Sequence, residues 1–347
     1  MMEQDRLLQM IATPSPSGAE FKQQKQIKAY YESFVDEVKT DIVGNVIGIL
    51  NPKAPMRVLL AGHIDEIGLM VSHVTEAGLL KVTNVGGVRP ALYLGEKVRV
   101  LGDHGDIFGV VGVNAQLLRH HELQVSDLFV DIGATSKEEA QQHVRVGNYL
   151  ISDTNHVTLL NQQLGGRALD NRVGAFIVTE VVRRVHELKT TIGVYGATTV
   201  GEETTMRGAQ FVGRQLNPTL AIAIDVTYAT DYPGGDCAKT GDVKLGGGPV
   251  LCESSIVNEA INTRLRDVAQ TLNFSIQSDI AVGRTGTDAD QLLFSAPDVA
   301  VALVSIPLRY MHSPSEVVNL NDVEQIIELV SQFIISLETS PLTLMPV

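Results

Sequence analysis

The 347-residue sequence has no tryptophan, only 5% aromatic residues and two cysteines. So few rings leave little material for a carbohydrate-stacking or base-stacking platform. Cys237 and Cys252 form neither a Cys-x-x-Cys pair nor a disulfide framework, so reduced thiols in an intracellular protein are expected. Clustered base is missing too: 40 acidic residues face 27 basic ones, a formal charge of −13, with no local run of Lys or Arg to offset it. That balance repels nucleic acid and anionic membrane, so neither is expected as a partner, and it suits a site that gathers divalent cations. No apolar run approaches the roughly 20 residues of a membrane span. The opening Met1-Met2-Glu3-Gln4-Asp5 carries acid where a secretion signal needs base. A cytoplasmic location is expected.

What is present is an ordinary globular balance, 44% hydrophobic and 19% charged, in a chain long enough for two domains. Leu7-Leu8-x-Met10-Ile11 has helical spacing, and a longer helical stretch runs from Glu20 to about Phe34. Strands are expected at Val46–Leu50 and Val58–Ala61. Between about Gly68 and Leu160 short β-branched runs recur (Leu69–Val74, Leu79–Val85, Lys97–Leu101, Ile107–Val113, Leu128–Ile132, Val157–Leu160), mostly separated by glycine-bearing turns. Only Ser136–His143 reads as helix there, so a small, mostly antiparallel module is expected. An α/β rhythm follows: helix Val173–Leu188, strand Thr191–Ala197, strand Leu220–Asp225, helix Ile256–Leu272, strand Phe274–Ile280, strand Val299–Ile306 and helix Asp322–Leu337. Alternation of this kind predicts a mostly parallel central sheet flanked by helices. The expected architecture is one α/β domain, residues 1–67 and 162–347, interrupted by a β-rich module over 68–161.

Five segments carry candidate chemistry, each at the end of an apolar run: Gly62-His63-Ile64-Asp65, Leu169-Asp170-Asn171-Arg172, Val200-Gly201-Glu202-Glu203, Ile224-Asp225 and Tyr310-Met311-His312-Ser313-Pro314. Singly, each has a plainer explanation. A histidine after a strand is usually a hydrogen-bonded loop residue, Asp170 is suited to cap a helix, and Glu202-Glu203 would ordinarily be a solvated pair. Ligands of open α/β sheets, however, gather at the carboxyl ends of strands, where four of the expected strands deliver these residues. In His63-x-Asp65 the carboxylate is placed to hold the imidazole's second N–H, as a ligating histidine requires. The set is imidazole and carboxylate without thiolate, which suits Zn, Co or Mn. It also exceeds what one tetrahedral ion needs, and fits two ions about 3.5–4 Å apart sharing a carboxylate and a water.

In combination these motifs resemble the M42 family of metallo-aminopeptidases, the glutamyl and deblocking type, over essentially the whole chain and including the β insertion. The resemblance implies hydrolysis of the N-terminal peptide bond of unblocked peptides. It also implies one metal on His63 and Asp225, a second on Glu203 and His312, and Asp170 bridging both. Glu202 becomes the general base acting on the bridging water, and Asp65 orients His63. Thr285-Gly286-Thr287-Asp288 resembles the family's Gly-Gly-Thr-Asp turn beside the substrate, with Thr285 where the first glycine is usual. The insertion carries none of the five segments, and the resemblance implies a dimerisation module of a homo-oligomer, a tetrahedral dodecamer.

The rival readings are a co-catalytic metal deacylase or dipeptidase on a similar scaffold, a glycosidase using Glu202 and Glu203, and a non-catalytic metal-binding scaffold. Adjacent residues point apart, which argues against flanking a glycosidic bond. Gly86-Gly87, Gly234-Gly235 and Gly246-Gly247-Gly248 do not read as phosphate loops, so turns are expected there. A surface role is expected for His120-His121.

Overall fold

The computed structural model describes residues 3–119 and 122–344. Met1-Met2 and His120-His121 lie outside the described residues. Helix α1 (Gln4–Ala12) buries Leu7, Met10 and Ile11, as its spacing predicts. Helix α2 (Phe21–Tyr31) stops three residues short of Phe34 and buries Tyr31. Strands β1 (Glu37–Thr40), β2 (Val46–Leu50) and β3 (Arg57–His63) follow.

The insertion then folds as β4 (Gly68–Val74), β5 (Leu80–Val85), β6 (Lys97–Gly102), β7 (Gly105–Val111), helix α3 (Ala115–Leu118), β8 (Phe129–Asp131), helix α4 (Lys137–Gln141) and β9 (Tyr149–Ser152). Its strands close into a barrel in the order β4-β5-β8-β7-β6-β9. Inward residues such as Leu69, Val71, Val82, Val98, Val100 and Val130 form a core of its own. Closure leaves no free sheet edge. The pattern of short runs did not reveal β9, which seals the barrel against β4 and β6. Val157–Leu160 was expected among the module's strands, but β10 (Val157–Thr158) pairs instead with β11 (Gln163–Gly166), outside the barrel. The other edge of β11 pairs antiparallel with Glu316–Asn319, so Val157–Thr158 joins a separate three-stranded sheet.

Helix α5 (Leu169–Glu187), β12 (Gly193–Thr199), α6 (Arg207–Leu216), β13 (Leu220–Tyr228), α7 (Cys237–Thr240) and β14 (Val250–Ser254) lead on to α8 (Glu259–Leu272). The chain closes with β15 (Gln277–Ala281), α9 (Ala289–Leu293), β16 (Ala300–Leu308), β17 (Glu316–Asn319) and α10 (Leu320–Thr339). The main sheet has eight strands, in the order β1-β2-β12-β3-β13-β16-β14-β15. Its centre, β12-β3-β13-β16, is parallel, and antiparallel pairings to β2 and β14 flank it. Alternate residues of β3 serve two cores: Val58 and Leu60 pack under α5 and α10, Leu59 and Ala61 under α6 and α9. Burial on both faces explains why these strands read as unbroken apolar runs. Among the described residues no helix is long and apolar enough to cross a membrane.

Candidate metal centre

The carboxyl ends of the parallel strands converge on one cleft of about 580 Å³. His63 is the last residue of β3, level with Thr199 at the end of β12, after which Glu202 and Glu203 follow in the loop. The ladder between β3 and β13 stops at Ala61↔Ala223. Two residues further along that register stand His63 and Asp225, where the strands have parted and left room between them. His312 lies in the loop after β16, and Asp170 in the first turn of α5. That turn is brought in by glycines: a Cβ on Gly62 would meet the backbone of Gly174 at 2.8 Å, and one on Gly174 would meet the Ile224 carbonyl at 2.6 Å. Asn171 ties the same turn to β13, its amide donating to the Ile224 carbonyl at 2.8 Å.

The side chains fall into two contiguous groups. His63 Nε2 lies 3.2 Å from Asp170 Oδ1 and 3.7 Å from both Glu202 Oε2 and Asp225 Oδ1. His312 Nε2 lies 3.4 Å from Asp170 Oδ2 and 3.4 Å from Glu203 Oε2. Asp170 therefore stands between them, one oxygen toward each histidine. One donor atom each from His63, Asp170 and Glu203 lies within 4.8 Å of the others. Among the described residues no Lys or Arg pairs with Asp170, Glu202, Glu203 or Asp225; the histidines are their only ionic partners. Glu203 Oε1 is buried with no hydrogen-bond partner. Burial pushes Glu202 up to about 10 and Asp225 up to about 8, and it raises Glu203 well above the usual carboxylate range. Burial opposes charge on His63 as well, yet the surrounding carboxylates, Glu202 and Asp225 first, lift it well above its ordinary value. So many buried acids without fixed cations fit divalent metal as the missing positive charge.

The family model for M42 glutamyl aminopeptidase matches residues 44–329. The chain belongs to the M42 family. It is accordingly an aminopeptidase, a hydrolase acting on peptide bonds. It is similar to the lysyl aminopeptidase of Pyrococcus furiosus, 32% identical over 95% of this chain and 96% of the relative. Among solved structures it resembles a TET aminopeptidase from a marine-sediment Thaumarchaeota archaeon, with a TM-score of 0.89, 30% identity and coverage of 95% of this chain and 96% of that one. Pyrococcus horikoshii TET1 peptidase, which assembles into a tetrahedron or an octahedral shell, superposes with a TM-score of 0.84 at 30% identity, covering 94% of this chain and 98% of that one.

Behind the cleft of this M42 chain, carboxylates hold the ligand-bearing backbone. Asp65 is fully buried; its two oxygens accept the amides of Glu202 and Glu203, each at 3.1 Å. His63 Nδ1 lies 3.2 Å from the Asp65 carbonyl and 3.5 Å from its carboxylate, so both parts of Asp65 face the ring. Burial works against the Asp65 charge, but His63 and the two amides hold its carboxyl below the usual value. The Thr285-Gly286-Thr287 segment lines the cleft, and Thr285 is held by Asp290, whose Oδ1 accepts both its amide and its hydroxyl at 2.8 Å. Asp288 is buried beside it, bonded to the Thr199 hydroxyl and raised by burial to about 6.

Sequence reasoning missed Glu316. Its Oε1 accepts the His312 amide at 2.9 Å and its Oε2 the Asp170 amide at 3.0 Å, so one buried carboxylate ties the His312 loop to the first turn of α5. Arg172, in the Leu-Asp-Asn-Arg motif, is another such brace. It is wholly buried and donates to the Thr13 carbonyl at 2.8 Å, Ser15 Oγ at 2.7 Å and Glu66 Oε1 at 2.8 Å.

Proposed function

We propose that this chain removes residues one at a time from peptides with a free N-terminus, using two divalent ions. The observation that carries the reading is the split of six converging side chains about Asp170, with a buried Glu203 oxygen left unpartnered. His63 and Asp225 would hold one ion, Glu203 and His312 the other, with Asp170 shared between them; Zn, Co and Mn all suit these donors. Bound metal supplies Lewis acidity and brings the pKa of water toward neutrality. Glu202, on the cleft wall beside His63, takes the proton of the attacking water on its carboxylate and returns it to the leaving amine nitrogen. Asp65 holds the amides of Glu202 and Glu203 while it faces His63, and so keeps the base and the ligand in one frame. The Thr285–Thr287 segment forms part of the wall along which the peptide lies.

We further propose a cytoplasmic homo-oligomer built from dimers that meet through the barrel, residues 68–161, and assembled as a tetrahedral dodecamer. Support comes from the assemblies of similar TET peptidases and from the apolar side chains exposed on the barrel.

Treatment with a strong chelator, with metal content verified, is expected to abolish hydrolysis of an unblocked peptide, and Zn, Co or Mn to restore it. The N-acetylated form of the same peptide is expected to stay intact throughout. Full activity of verified metal-free protein would rule out the metal mechanism, and equal cleavage of the acetylated peptide would favour a deacylase.

A further inference from the structure

We propose that the Gly86-Gly87 turn of the barrel is a positioning element for the His312–Glu203 half of the metal centre; the inference rests on the two-ion reading above. The turn follows β5 and is tied down by the Asn84 side-chain amide, which donates to the Gly86 carbonyl at 3.0 Å. The Gly87 carbonyl lies 3.2 Å from His312 Nδ1, while Nε2 of the same ring faces Asp170 and Glu203. A proton held on Nδ1 by that carbonyl leaves the Nε2 lone pair free, the tautomer a metal ligand needs. Gly86 packs against the other member of this half: a Cβ there would stand 3.3 Å from Glu203 Cβ. His63 takes its Nδ1 partner from Asp65, two residues along its own segment. The two halves of the centre thus have different supports. Both are braced from the α/β domain, through Asp65 and Glu316, but only the His312–Glu203 half is also contacted by backbone that belongs to the barrel. A turn that motif reading assigned to chain reversal alone is therefore part of the site, and a shift of the barrel reaches one ion before the other.

Gly87→Ala tests this. The φ of Gly87 is not in the left-handed region, so alanine fits the backbone, but its Cβ would lie 2.6 Å from His312 Nδ1 and must displace the ring. Metal titration against a competing chelator, with content measured directly, is expected to show two sites in the wild type. In the variant one site should be unchanged and the other weaker by ~10–100-fold, the usual loss when a ligating histidine loses its outer partner. Hydrogen–deuterium exchange on the unmodified protein supplies the second arm: filling the His312–Glu203 site should slow exchange of the backbone around residues 84–89, because coupling between two sites is reciprocal. A folded variant that binds both ions with wild-type affinity overturns the inference, as does equal weakening of both sites. If the variant does not fold, the exchange measurement decides, and unchanged exchange at 84–89 overturns it. Wild-type protein that binds no metal would instead overturn the two-ion reading itself.

Discussion

Glu202 and Glu203 are neighbours in sequence and would be interchangeable as surface acids, yet their carboxylates face different histidines. The cause is Asp65, which fixes both amides and so turns consecutive side chains to opposite halves of the centre. Glu203→Gln removes a charged donor and is expected to empty or loosen one metal site. Glu202→Gln should keep both ions while kcat falls by ~10²–10⁴-fold with KM little changed, the worth of a positioned general base. Metal stoichiometry beside steady-state kinetics distinguishes them, and loss of metal from the Glu202 variant alone would reverse the assignment. The same residues set a pH dependence. In metal-free protein Glu202 and Asp225 titrate at about 10 and about 8, far above the unfolded carboxylate range, and His63 is raised too. The folded state then holds more protons than the unfolded one, so this contribution to stability is present at low pH and lost as pH rises through those values. The Tm of the metal-free protein should accordingly fall between about pH 6 and pH 9, and metal uptake at neutral pH should release protons. Asp170, held low by His312 and His63 against its burial, acts in the opposite sense only in acid. A Tm that is flat or rising over that interval would contradict the argument.

At the scale of elements, the centre depends on how closely α5 approaches β3 and β13. A Cβ on Gly174 would meet Asn171 Oδ1 and, at 2.6 Å, the backbone carbonyl of Ile224, so rotating the Asn171 side chain alone cannot make room for an added methyl. Gly174→Ala should cost about 1–3 kcal/mol in denaturant unfolding, the range for overpacking. It should also weaken metal binding, because Asp170 rides on the same turn. Lost stability with unchanged metal affinity would mean that the turn tolerates displacement. Periodicity identified α5, β3, β12, β13 and β16 because each has a local pattern of its own. It missed β14, whose five residues are set between β15 and an antiparallel β16 only by long-range pairing. Glu316 was illegible for a related reason: a single glutamate after a loop has no period, and its two bonds reach a loop and a helix start from different parts of the chain.

On the scale of the whole molecule, the barrel presents Phe108 and Val110, two residues apart on β7, at 60% and 47% exposure, with Val113 and Leu118 also exposed. Apolar side chains of this size on one module suit an interface. Sedimentation velocity should show a species many times the 37.5 kDa chain, and Phe108→Asp should shift it toward smaller forms while metal content is retained. A monomer at working concentrations would exclude the assembly. So would trimming of folded proteins as fast as unfolded peptides, because an enclosed assembly admits only the latter.

The sequence by itself determined the α/β rhythm, the place of the β insertion, and the identity of His63, Asp170, Glu202, Glu203, Asp225 and His312 as the candidate centre. These are carried by local period and by motifs a few residues long, which each segment holds independently of its neighbours. Only the tertiary structure decided which carboxylate faces which histidine, that Asp65 and Glu316 brace the ligand loops, and that the Gly86-Gly87 turn touches His312 and Glu203. Those relations join residues up to 225 positions apart, and a hydrogen bond at that separation has no trace in local spacing. It exists because parallel strands end together on one edge of the sheet, and because a closed barrel sets one of its turns against that edge.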